Sequence, residues 1–123
     1  MTRSPRARKV LVVDDNLDAA HSFANLVERI IGHKVEFAIN GYAALQLARK
    51  VRPEVVFLDL VMPGISGFEL AKRLKQELGD DVRLIAVTAY GTDEDRQKSA
   101  KAGCELHLIK PVAPQVIESL LVS

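Results

Sequence analysis

What this sequence has little of sets the first limits. Only one of its 123 residues is cysteine, Cys104. A lone thiol can close neither an internal disulfide nor a thiolate metal cage, and it is read as a small buried filler. No excess of one charge stands out either: 17 Lys+Arg against 16 Asp+Glu leave a net charge of +1. Nucleic-acid binders usually carry a strongly basic face, so no nucleic-acid partner is expected. Long hydrophobic runs are missing, which excludes membrane insertion by a helical span. The basic N-terminus is followed by no apolar leader core, because Val10–Val13 runs straight into Asp14 and Asp15. A cytoplasmic, reduced setting is expected. At roughly 100–200 residues per domain, the length leaves room for one domain. With 48% apolar and 27% charged residues, that domain has the usual mix for a globular core.

Residues 1–8 carry Arg3, Arg6 and Arg8 around Pro5 and are expected to form a flexible basic tail, with the domain over residues 9–123. From Lys9 onward, short apolar runs alternate with longer periodic segments. The runs are Val10–Val13, Val35–Ile39, Val55–Leu58, Leu84–Val87 and Leu106–Ile109, each of strand length. The first, third and fourth are continuously apolar, as strands buried on both faces must be. The second and fifth alternate more, as edge strands do. Between them lie helical stripes. Leu17, Ala20, Ala24, Val27 and Ile31 form the first, stopped by Gly32; Ala44, Leu47, Ala48 and Val51 form the second. Phe68, Ala71, Leu74 and Leu78 form the third. Thr92 caps a fourth helix whose only apolar residues are Ala100 and Ala102, so it should pack weakly. Val116, Ile117, Leu120 and Leu121 form a short fifth.

Five strands alternating with five helices predict an α/β domain with a flavodoxin-like, doubly wound parallel sheet. Right-handed crossovers favour the strand order 2-1-3-4-5, which puts the three continuously apolar runs inside. Ligands of such sheets bind beyond the carboxyl ends of the strands, at the point where the winding reverses. The residues that follow the runs are therefore the candidates. Asp14 and Asp15 follow the first, Asp59 the third, Thr88 the fourth and Lys110 the fifth.

Three carboxylates in one small concave site repel one another, and one lysine cannot neutralise them. A divalent cation is the natural partner. An oxygen-only ligand set favours a hard ion, Mg2+ first and Mn2+ as a substitute. A hydroxyl and an ammonium across from the metal are donors for phosphoryl oxygens, so the set fits phosphoryl transfer, with one carboxylate able to form an acyl phosphate.

At these residues the chain resembles the receiver domain of bacterial two-component response regulators. The resemblance covers about residues 9–121 and rests on four motifs in order. They are Val-Val-Asp14-Asp15-Asn16, Phe-Leu-Asp59-Leu-Val-Met-Pro63-Gly-Ile-Ser-Gly67, Ala-Val-Thr88-Ala-Tyr90 and Leu-Ile-Lys110-Pro111. The resemblance implies that Asp59 is the phosphoacceptor. It implies that Asp15 holds the metal directly and Asp14 often through water, with Asp59 and the backbone carbonyl of Val61 completing the set, and that Lys110 and Thr88 contact the phosphoryl group. Ala89 matches the small residue that lets that group in, and Pro63 and Gly67 match the loop closing over the site. Pro111 follows a peptide bond that the family usually holds cis. Tyr90 sits where the family tunes the lifetime of the phosphoryl group. The family's aromatic switch position holds His107 here, a smaller ring than the usual Tyr or Phe. Receivers associated with hybrid histidine kinases often read His-Leu-(Ile/Val)-Lys-Pro at this point. The implied partners are a histidine kinase or histidine phosphotransfer protein and a downstream protein target. That target would read the surface of the fourth helix, fifth strand and fifth helix. A homodimer through that surface stays open, as does the choice between a stand-alone regulator and the receiver of a hybrid kinase.

Other readings stand beside this one. Asp14-Asp15-Asn16 could serve only as a helix N-cap cluster. A metal-dependent aspartyl-phosphate phosphohydrolase would want Asp-x-Asp after the first strand and a cap domain, and the sequence has neither. A receiver-like binding module that is never phosphorylated would be expected to lose a site residue, and none is lost. His21 and His33 are read as surface residues.

Overall fold

A computed structural model describes residues 9 to 122; the basic segment over residues 1–8 lies outside the described residues. Strand and helix alternate throughout: β1 (Val10–Val13), α1 (Leu17–Ile31), β2 (Glu36–Ala38), α2 (Gly41–Val51), β3 (Val55–Leu58), α3 (Gly67–Leu78), β4 (Arg83–Thr88), α4 (Asp93–Lys101), β5 (Cys104–Ile109) and α5 (Pro114–Leu121). A single 3-10 turn, Gly79–Asp81, joins α3 to β4. All strand pairs are parallel, in the order β2-β1-β3-β4-β5. The order and the helix count agree with the sequence-based expectation. β2 is shorter than the Val35–Ile39 run, while β4 and β5 are longer than theirs. No helix among the described residues is long and apolar enough to cross a membrane.

Why three strands are apolar throughout is visible in the packing. Leu11, Val13, Val56, Leu58, Leu84 and Ala86 face one core, which α2 and α3 complete with Leu45, Leu70 and Leu74. Their neighbours Val10, Val12, Val55, Phe57, Ile85 and Val87 face a second core, filled by Val27 and Ile31 of α1 and Ile117 and Leu121 of α5. A strand with helices on both sides has no face left for a polar residue. α4 differs. Its one buried residue is Ser99, and Ala100, expected to help pack it, is exposed. Ala102, just past its end, is buried as expected.

Four helices begin with a side-chain cap. Asn16, Asn40, Ser66 and Thr92 accept from the backbone N–H groups of Ala19, Ala43, Glu69 and Asp95 at 2.8–3.2 Å. Each cap answers donors that the first turn cannot satisfy internally, and contributes about 1 kcal/mol. Because every one of these helices follows the carboxyl end of a strand, the caps fix where the chain turns at that rim.

Candidate functional site

The ladder carries the key acids to the rim. The Asp14 N–H donates to Ala38 O at 3.1 Å and the Asp59 N–H to Val13 O at 2.9 Å, so sheet pairing continues one residue past β1 and β3. One carboxylate oxygen from each of Asp14, Asp15 and Asp59 lies within 4.8 Å of the other two. Asp14 is buried, Asp59 is half-buried and Asp15 is exposed. From the far side Lys110 donates through Nζ to Asp14 Oδ2 at 2.7 Å and to Asp59 Oδ2 at 3.1 Å. Burial works against the Lys110 charge, but the hydrogen bonds and charges of Asp14 and Asp59 outweigh it, holding its pKa above the ordinary value. The second oxygens of Asp14 and Asp59 are also used. Asp14 Oδ1 accepts from the Asn16 N–H and Asp59 Oδ1 from the Val61 N–H, both at 3.0 Å. One formal positive charge thus faces three carboxylates. That oxygen-only, charge-unbalanced set can hold a hard divalent cation.

Beside the acids, a cavity of about 320 Å³ runs under α1. Phe23, Phe57 and Val112 line its apolar part, and Asp14, Asp59 and Lys110 its charged end. Low-dielectric walls of this kind strengthen the electrostatics of the groups they border.

The structure brings Asp14, Asp15, Asp59 and Lys110 together, as the motifs imply. The Lys110–Pro111 peptide is cis. Asn16 does cap α1, yet the acids beside it also meet Asp59, so the cluster is more than a cap. Thr88 ends β4, fully buried, and its carbonyl accepts from the Lys110 N–H at 2.9 Å. Its hydroxyl is engaged by the Tyr90 N–H at 3.4 Å, with the phenol of Tyr90 exposed. Ala89, Val61 and Pro63 are exposed at the same rim. Gly67 is buried, and its N–H donates to Leu60 O at 3.1 Å. A Cβ there would run into the Asp59 carbonyl and Leu60 Cα, so only glycine allows this crossing of backbones. Cys104 is buried, and burial pushes its thiol up to about 11 despite nearby Lys75, in keeping with a filler. His21 and His33 are exposed.

Sequence reasoning missed Ser99. Its Oγ lies 3.0 Å from His107 Nδ1, and His107 Nε2 lies 2.9 Å from Tyr90 O. The available signal was a lone hydroxyl on an otherwise polar helix, eight residues ahead of the histidine.

Comparison with known proteins agrees with this geometry. The family model for the response regulator receiver domain matches residues 10–122. The polar-differentiation response regulator DivK of Brucella anthropi is 35% identical over 117 residues, covering 92% of this chain and 93% of DivK. Among solved structures, the chemotaxis protein CheY4 of Vibrio cholerae superposes with a TM-score of 0.84 at 29% identity, covering 93% of this chain and 96% of that one. A response regulator from Burkholderia pseudomallei, solved with a phosphorylated aspartic acid, calcium ion and citrate, gives a TM-score of 0.84 at 31% identity. That match covers 94% of this chain and 67% of the other. With its 2-1-3-4-5 sheet and its Asp14, Asp15, Asp59 pocket, the chain belongs to the response regulator receiver domains, the phosphoacceptor signalling domains of two-component systems.

Proposed function

We propose that Asp59 is the phosphoacceptor and that it takes its phosphoryl group from a phosphohistidine on a histidine kinase or histidine phosphotransfer protein. A carboxylate oxygen of Asp59 attacks phosphorus as the bond to the imidazole nitrogen breaks. The leaving nitrogen keeps the electron pair and is protonated by solvent. The product is an acyl phosphate on Asp59 and a free histidine on the partner. The observation that carries this reading is the pairing of Asp59 with Lys110 at 3.1 Å inside a cluster of three acids. The phosphorylated aspartic acid of the Burkholderia pseudomallei relative supports it.

Asp14, Asp15, Asp59 and the backbone carbonyl of Val61 would hold Mg2+, with Mn2+ able to substitute. When bound, the ion supplies neutralisation of charge on the phosphoryl oxygens. Lys110 neutralises charge from the other side, and the Thr88 hydroxyl turns toward a phosphoryl oxygen. Ala89 leaves room for the incoming group, and Tyr90 stands where it can screen it from water. Pro63 and Gly67 shape the loop over the site, and Pro111 fixes the backbone beside Lys110. His107 takes the switch position. The output is a change in the surface of α4, β5 and α5, read by a downstream protein in the cytoplasm. Self-phosphorylation and self-dephosphorylation are the only chemistry this reading requires of the domain, which spans residues 9–123 after a basic tail.

Intact-mass measurement tests the reading. The chain incubated with Mg2+ and acetyl phosphate should gain one phosphoryl group, and Asp59→Asn should gain none. No adduct on the wild type, or an undiminished one on the variant, would sink it.

A further inference from the structure

The rim and α4 are joined by a chain of hydrogen bonds through Ser99, His107 and Tyr90. A backbone carbonyl only accepts, so the His107 Nε2 facing Tyr90 O at 2.9 Å carries a proton. In the tautomer with its lone pair on Nδ1, the Ser99 hydroxyl 3.0 Å away donates to that nitrogen. That hydroxyl has one proton and a second acceptor within 3.0 Å, the Arg96 carbonyl of its own helix. Turning to Nδ1 therefore selects the ring tautomer that grips the loop. Tyr90 passes the constraint on, since its N–H donates to Thr88 Oγ1. The sequence of contacts runs from α4 to β5, to the loop after β4, to the acid site.

Three further features point the same way. Ser99 is 1% exposed and is the one buried residue of α4, so its hydroxyl has no solvent partner. Arg96 donates through Nε to Gly91 O at 3.3 Å and through a terminal nitrogen to His107 O at 3.4 Å, clamping the same three segments. A Cβ on Gly91 would strike the Ile109 side chain, so the loop lies directly on β5. A register shift in the β4–β5 pairing makes the arrangement geometrically available. Cys104 pairs with Leu84 but Leu106 with Ile85, leaving Glu105 as the extra residue. His107, opposite Ala86, is thereby turned to the face that α4 covers.

We propose that Ser99 is a positioning residue for the acid site: its hydroxyl orients His107, which holds Tyr90 and through it the Thr88 hydroxyl. The proposal rests on the reading of Asp59 as phosphoacceptor. Losing the hydroxyl leaves His107 free to exchange tautomers and loosens the loop that presents Thr88 and Ala89. One lost hydrogen bond corresponds to about a five-fold change in the population of the seated loop.

The first test is independent of phosphorylation. Ring nitrogen chemical shifts of His107 in the unphosphorylated full chain should report the Nε2–H tautomer. Ser99→Ala should give a mixture, and Ser99→Thr, which keeps the hydroxyl, should restore the single form. A proton found on Nδ1 of the wild type overturns the proposal without any variant, as does an unchanged tautomer in Ser99→Ala. The second test is the rate of Asp59 labelling by acetyl phosphate with Mg2+. Ser99→Ala should be slower by about five-fold and Ser99→Thr should match the wild type. If wild type labels and Ser99→Ala labels as fast, only this proposal fails. If wild type does not label at all, the phosphoacceptor reading fails, and this proposal falls with it.

Discussion

At the scale of single residues, the site is defined by charge imbalance. Asp15 is exposed, yet it adds a third negative charge within 4.8 Å of two others. Repulsion among them costs folding free energy, which the Lys110 ammonium offsets in part. Asp15→Asn should therefore stabilise the metal-free protein by about 0.5–1 kcal/mol. The same change should shrink the rise in melting temperature on adding Mg2+, because ligand binding stabilises in proportion to affinity. Thermal unfolding with and without EDTA measures both effects. Lys110 gives a pH dependence of definite sign. Its pKa is raised in the folded state above the ordinary 10.5, so its contribution is fully present below that pH and is lost as pH rises through the folded value. Urea titrations should show stability falling more steeply in wild type than in Lys110→Met above pH 10.5.

At the scale of elements, α3 and α4 make opposite cases. The first residue of α3, Gly67, presses against the backbone of Asp59 and Leu60. Gly67→Ala forces one strand end or the helix start to move, and should cost about 2–4 kcal/mol in urea unfolding. The loss should come with slower labelling of Asp59, since the displaced backbone is that of the acceptor itself. α4 is held mainly by side-chain contacts: Ser99 to His107, Arg96 to Gly91 and His107, and Lys98 4.9 Å over the ring of Phe68. Few apolar contacts mean a low free energy of local opening. Amide hydrogen exchange over residues 93–101 should be faster by several orders of magnitude than over β3, whose four residues are all buried. Comparable protection in the two would contradict this picture.

At the scale of the whole molecule, two cores share one sheet, and the sheet carries the site. Phe57 is fully buried in the core under α1 and α5, packed edge-on against Phe23 at 5.1 Å. It lies two residues before Asp59 and lines the cavity beside the acids. Phe57→Ala should cost about 3–5 kcal/mol by the loss of burial and the cavity left behind. Calorimetry should register that as a lowered melting temperature. Much of this architecture was legible beforehand. Continuous apolar runs at Val10–Val13 and Val55–Leu58 marked central strands because burial on both faces leaves no alternative pattern. The start of α4 followed from Thr92, whose short side chain caps where a helix begins, and the end of α1 from Gly32, which takes the left-handed conformation that stops a helix. Asp14, Asp15, Asp59 and Lys110 were legible because each directly follows a strand, and in a parallel sheet all strands end at one rim.

The order of strands and the chemistry of the rim were thus determined by the sequence itself, through local pattern and the handedness of crossovers. The packing of α4 was not. Its only apolar residues in the sequence reading were Ala100 and Ala102, but the tertiary structure exposes Ala100 and buries Ser99 within the helix. The cause is the extra residue at Glu105 in β5, which turns His107 to the side that α4 covers. Strict alternation would put Cys104 and His107 on opposite faces; the bulge places both toward α4. A bulge is set by how two strands settle against each other, a non-local balance of pairing and packing that period-2 pattern in one strand does not contain. The tertiary structure alone therefore decided that the acid site is wired to α4 through a serine and a histidine.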